Sequence, residues 1–177
     1  TKEGAGTLTL TGTNTYACAT CVSNGTLIAA CEGALPETTT LRLGSGGIVD
    51  LGGKVHTVAN VIGSGTIRNG TLNVTGWVYP GYGDNGELSV ASDAALNKLG
   101  YKVDDSGACG VLKVAGSIDL SGVGVSVVLT EVPARGLRLV DAASISGSPV
   151  KLSGKYALSV RGGSLRMGVP PLIITIR

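Results

Sequence analysis

Apolar and polar side chains alternate with period two along most of the chain, in short runs only. In Gly6-Thr7-Leu8-Thr9-Leu10-Thr11-Gly12, Leu8 and Leu10 fall on one face and the threonines on the other. Thr40-Leu41-Arg42-Leu43, Gly70-Thr71-Leu72-Asn73-Val74-Thr75, Glu87-Leu88-Ser89-Val90, Val111-Leu112-Lys113-Val114 and Leu158-Ser159-Val160-Arg161 follow the same rule. Each run predicts a short strand with a narrow apolar face, punctuated by Gly, Asn, Asp and Ser. The glycine pairs Gly46-Gly47, Gly52-Gly53 and Gly162-Gly163 read as stops between strands. Only Ser92 to Leu99 departs from this. Its Asp-Ala-Ala-Leu core predicts one helical turn around Leu96, with Ser92 or Asp93 as N-cap.

The strands are introduced by a recurring phrase, glycine then a small polar residue then an aliphatic. It stands at Gly6-Thr7-Leu8, Gly25-Thr26-Leu27, Gly65-Thr66-Ile67 and Gly70-Thr71-Leu72, with echoes at Gly86, Gly110 and Gly163. Gly6 to Gly25 spans 19 residues, Gly25 to Gly65 spans 40, Gly65 to Gly86 spans 21 and Gly86 to Gly110 spans 24. A step of about twenty is one turn of a β-solenoid. The fold class is therefore all-β, expected as a right-handed parallel β-helix, with a β-sandwich of hairpins as the alternative. Asn24-Gly25, Asn69-Gly70 and Asn85-Gly86 would supply the sandwich with two-residue turns. At this step the chain makes about eight turns and a rod of about 40 Å. One β-helical domain over 1–177 is expected, with residues from about 123 less regular and readable as a C-terminal cap.

Composition sharpens this. Glycine numbers 29, phenylalanine is absent and aromatics make up 3%, which suits tightly stacked strands and not a helical bundle. Fourteen Lys and Arg against 12 Asp and Glu leave +2, and Arg161, Arg166 and Arg177 are dispersed, so no nucleic-acid partner is expected. The longest apolar stretches, Val123 to Leu129 and Pro170 to Ile176, fall short of the about twenty residues of a membrane helix. The opening Thr1-Lys2-Glu3 carries neither Met nor a signal pattern, so the chain reads as part of a larger polypeptide.

Residues 2–28 run Lys-Glu-Gly-Ala-Gly-Thr-Leu-Thr-Leu-Thr-Gly-Thr-Asn-Thr-Tyr, then a spacer, then Val-Ser-Asn-Gly-Thr-Leu-Ile. This closely resembles the autotransporter-associated β-strand repeat, also called the passenger-associated transport repeat. Leu51-Gly52-Gly53, Gly63-Ser64-Gly65-Thr66, Asn69-Gly70-Thr71-Leu72 and Tyr79-Pro80-Gly81 are also similar to such passengers. The resemblance implies a β-helical, non-enzymatic structural or adhesive segment of a secreted or cell-surface bacterial protein. It brings no catalytic residues and no cofactor. The chain departs from the family's Thr/Gly-rich turn at Ala17-Cys18-Ala19-Thr20-Cys21.

Candidate chemistry lies where the repeat is interrupted. Cys18, Cys21 and Cys31 are disulfide candidates for an exported chain, and Cys109 stands apart. A metal site would want a second cysteine pair or more histidines, and the only histidine is His56, expected to be structural or superficial. Trp77, Tyr79 and Tyr82 flank Pro80-Gly81 in what reads as a polar loop. Their ring faces suit stacking on a sugar, so carbohydrate or a host-surface macromolecule is the candidate partner here, while the favoured reading is the plainer one that they cover a loop or corner of the rod. Asp104-Asp105 is the only adjacent carboxylate pair and is expected in a turn. Asp50, Asp119 and Glu131 are isolated, so a polysaccharide hydrolase or lyase finds no support. Asn24-Gly25-Thr26, Asn69-Gly70-Thr71 and Asn73-Val74-Thr75 match the glycosylation tripeptide, and the first two also belong to the turn-into-strand phrase.

Overall fold

The structure, a computed structural model, describes residues 1–106, 108–129, 137–147, 149–153, 157–161 and 163–168. Glu131 and the Pro170 to Ile176 stretch lie outside the described residues. The strands are β1 (Thr7–Leu10), β2 (Thr20–Ala29), β3 (Thr40–Val58), β4 (Asn60–Gly63), β5 (Thr66–Pro80), β6 (Glu87–Val103), β7 (Val111–Asp119), β8 (Gly124–Leu129), β9 (Leu137–Ser146), β10 (Val150–Ser153), β11 (Ala157–Arg161) and β12 (Ser164–Gly168). They wind as a parallel β-solenoid of about five turns.

Parallel register carries like positions onto like. One inward ladder runs Leu8, Leu27, Val49, Ile67, Val90, Val114 and Ala142 through successive rungs. A second runs Leu41, Val61, Val78, Leu99 and Val125, all fully or almost fully buried. A face only two or three aliphatics wide cannot build a sandwich core. Bent round a narrow axis, however, every such face meets the others, and each buried Leu, Val or Ile contributes about 1.5–3 kcal/mol. Aliphatics without phenylalanine fit because the lumen is filled afresh at every rung, about 4.8 Å apart.

The Asn-Gly pairs are corners, not hairpins. Strands β2 and β5 continue through Asn24-Gly25 and Asn69-Gly70 without reversing. Strand β3 likewise runs through Gly46-Gly47 and Gly52-Gly53, bending where Gly52 and Gly53 take φ of 62° and 71°. Nor is there a helical turn at 92–99. That segment lies within β6, with Ala94 beside Leu72 and Leu96 beside Val74. The next rung's ladder outweighs the local preference of Ala and Leu for helix.

Eight turns is an overestimate, because the rung lengthens along the chain. Register partners lie 19 residues apart at Thr7 and Thr26 and 18 apart at Ile48 and Thr66. They are 24 apart at Glu87 and Val111 and 28 apart at Leu112 and Val140. Beyond β9, β10 still lies parallel on β8, but β12 lies antiparallel on β9 and β11 folds back antiparallel on β12. At the other end Leu8 is 43% exposed, although Leu27, Val49, Ile67, Val90 and Val114 above it in its ladder are buried.

Candidate functional site

The first rung concentrates the polar chemistry. Lys2 is buried, and its Nζ donates to the main-chain carbonyls of Glu3 (2.9 Å), Gly4 (2.6 Å) and Asn24 (3.0 Å). This ammonium closes the corner where the chain enters β1 and β2 makes its bend. Gly25, at φ 74°, lies beneath it. A Cβ there would strike the carbonyls of Gly4 and Gly6, so the position requires glycine. Further round, the Asn14 side chain donates to Gly12 O (3.0 Å) and Ala34 O (2.9 Å), tying the first turn to the second.

A directed hydroxyl relay completes the rung. Thr39 Oγ1 donates to Cys18 O (3.1 Å), which leaves its lone pairs to accept from Thr20 N (3.1 Å) and the Thr20 hydroxyl (3.0 Å). With its proton committed, Thr20 Oγ1 accepts from the Tyr16 hydroxyl (2.6 Å). Every donor is satisfied within the rod. Beside this relay a cavity of about 270 Å³ opens at the rod end, lined by Leu8, Leu10, Leu27, Tyr16, Cys18 and Cys21 among others.

The three disulfide candidates are free thiols, as is Cys109. Cys21 sits near the start of β2 and Cys31 just past its end, so a strand's length separates them. Cys18 and Cys21 do line one cavity. Cys109 is a buried thiol whose pKa burial, with a contribution from Asp104, pushes up to about 11. Among the described residues no three His, Cys, Asp or Glu side chains gather where they could hold a metal ion.

The aromatic trio is brought together, but not in a loop. Trp77 and Tyr79 are outward-facing residues of β5, and only Tyr82 belongs to the following turn. The Trp77 and Tyr79 rings are 5.5 Å apart and nearly parallel (16°), and Tyr82 meets Tyr79 edge-on at 5.8 Å. Lys98 Nζ lies 5.5 Å from the Trp77 ring centre, and the Tyr79 ring covers the bare Cα of Gly100 on the next rung. Trp77 and Tyr79 are half-buried, whereas Tyr82 is 57% exposed.

The carboxylates serve corners. Asp104 accepts from Ser106 Oγ (2.7 Å), Ser106 N (2.9 Å) and Ala108 N (3.0 Å), and Asn85 bonds to it from the previous rung. The Ser106 and Ala108 bonds lead in holding this carboxyl below its usual 3.8. Burial pushes the Asp50 carboxyl up, but bonds from Gly52 N and Asn69 and the Arg68 guanidinium outweigh it, so its pKa too is lowered.

His56, expected to be structural or superficial, is buried. It is 2% exposed, stacked in register on Leu72, and neither ring nitrogen has a hydrogen-bond partner among the described residues. Its inward place in Val55-His56-Thr57-Val58, two residues before Val58, was the available signal. The Lys2 corner was missed, although Lys2 opens the residues 2–28 that carry the family resemblance.

Residues 1–29 match the family model of the passenger-associated-transport-repeat, a span that holds the Lys2 corner and the Tyr16 and Thr20 members of the hydroxyl relay, with Thr39 beyond it. No curated protein and no solved structure matches the chain.

Proposed function

We propose that the chain is a structural and adhesive stalk segment of an autotransporter passenger, displayed by or secreted from a bacterium, and not an enzyme. The observation that carries this reading is the use made of the polar residues in the matched repeat. Lys2, Asn14 and Thr20 bond to the backbone or hydroxyls of a neighbouring rung, and Tyr16 bonds to Thr20, so the repeat's chemistry goes into building the rod. A rigid stack of rungs holds whatever follows it at a set distance and offers long flat faces for many weak contacts. Protease shaving of intact cells producing the parent protein, with an epitope in the Tyr82 to Asn85 turn, tests display. Loss of the epitope without lysis is expected, and protection until lysis would refute it.

A second reading, a carbohydrate contact on the Trp77 face, is favoured by the parallel Trp77 and Tyr79 rings beside the exposed Tyr82. Glycan-array binding of the purified chain against its Trp77→Ala variant tests it. A signal that survives unchanged in the variant removes this face from consideration.

A further inference from the structure

We propose that the Asn24-Gly25 corner is a self-modifying site, at which the main chain converts the Asn24 amide to an aspartyl or isoaspartyl residue. The chain has three Asn-Gly steps, and the rod treats them differently. At Asn24 the Gly25 N–H donates to Oδ1 of the preceding side chain at 2.8 Å, which holds the nucleophile beside the amide group it would attack. Asn24 is exposed, which admits the water that finishes the reaction. The Lys2 ammonium sits on the same corner, bonded to Asn24 O at 3.0 Å and packed against Gly25. A fixed positive charge there favours both the deprotonated Gly25 nitrogen and the oxyanion that forms at Cγ.

The other two steps are held back. The Asn69 side-chain nitrogen donates to Asp50 Oδ1 at 2.8 Å, and that of Asn85 bonds to Asp104. Both residues also stand at positive φ, 59° and 53°. Each has a carboxylate beside the amide where Asn24 has an ammonium, so the local charge opposes the anion the reaction needs.

The step balances without a cofactor. Gly25 N gives its proton to water and its lone pair forms a bond to Asn24 Cγ. Nδ2 takes a proton back from water, its bond to Cγ breaks and it departs as ammonia, leaving a succinimide. Water then opens the ring: attack at Cγ breaks its bond to Gly25 N and gives aspartate, whereas attack at the main-chain carbonyl leaves the chain linked through Cγ as isoaspartate. The product puts a carboxylate beside Lys2, and the isoaspartyl form lengthens β2 by one main-chain carbon at the corner where β1 and β2 are tied together.

The test is peptide mapping by mass spectrometry of the folded chain during incubation near neutral pH. Asn24 is expected to convert on the order of tenfold faster than Asn69 and Asn85, with both acid isomers present. Equal rates, or a slower Asn24, would overturn the proposal. The same chain in denaturant should lose the difference, and a ranking that persists there would assign it to local sequence instead. In Lys2→Gln the Asn24 rate is expected to fall toward the other two, and an unchanged rate would refute the part given to the ammonium. Should that variant unfold, all three rates rise together and the folded wild-type ranking decides alone.

Discussion

Replacing His56 with leucine should make the rod more stable, against the usual result of altering a fully buried residue. The imidazole stands in an inward ladder on Leu72, with both nitrogens shielded from solvent and without partners among the described residues. A neutral imidazole carries one N–H and one lone pair. Leaving such a group dry and unpaired costs about 1–3 kcal/mol, and an apolar group of similar shape escapes that cost. Leucine has similar bulk and would continue the ladder, so the repacking penalty should stay under about 1.5 kcal/mol. The expected net gain is on the order of 1 kcal/mol, read as a rise of about 2–4 °C in the unfolding midpoint followed by strand circular dichroism. His56→Ala is the control: it removes the same polar atoms but leaves a void, and should be about 2–4 kcal/mol less stable than His56→Leu. A His56→Leu chain that is clearly less stable would refute the reasoning. It would mean that the imidazole is hydrogen-bonded in solution, and Glu32 and Glu37, which line the same cavity of about 270 Å³, are the groups to examine next.

Lys2→Met keeps the stem of the side chain but removes three bonds to carbonyls, charge-assisted bonds of about 1.5–3 kcal/mol each at most. Hydrogen exchange should quicken in β1 and the first half of β2 while β5 to β7 stay protected, and uniform exchange would contradict the local role. Thiol alkylation at neutral pH should modify Cys18 first and spare Cys109, which is buried with its pKa pushed up to about 11; comparable rates would contradict the burial. Acid should loosen the corners closed by Asp50 and Asp104. Their folded pKa values lie below 3.8, so the stabilisation is whole above that value and is lost as pH falls through the folded values. Carboxyl titration by NMR checks this, and midpoints at or above 3.8 would count against the hydrogen bonds described.

Much of the architecture was legible because a solenoid repeats its own local rules. The Gly-Thr-Leu phrase marks where each rung begins, and alternation alone tells Leu27, Leu41 and Leu72 apart from their outward neighbours. Ser92 to Leu99 misled because Ala and Leu favour helix locally, while the partner strand that makes them β lies a whole rung away. The aromatic trio misled in the opposite direction: Pro80 and two glycines suggested a loop, yet Trp77 and Tyr79 are held in β5 by register with the rungs on either side.

By itself the sequence determined the all-β class, the rung as the unit and the N-terminal repeat, because these depend on period two and on glycines at fixed offsets. Only the tertiary structure decided the number of turns, the antiparallel close of the described chain, the burial of His56 and the unequal settings of the three Asn-Gly steps. Those depend on which residue of the next rung lies alongside. A step that drifts from 18 to 28 residues leaves that register unmarked in the linear chain.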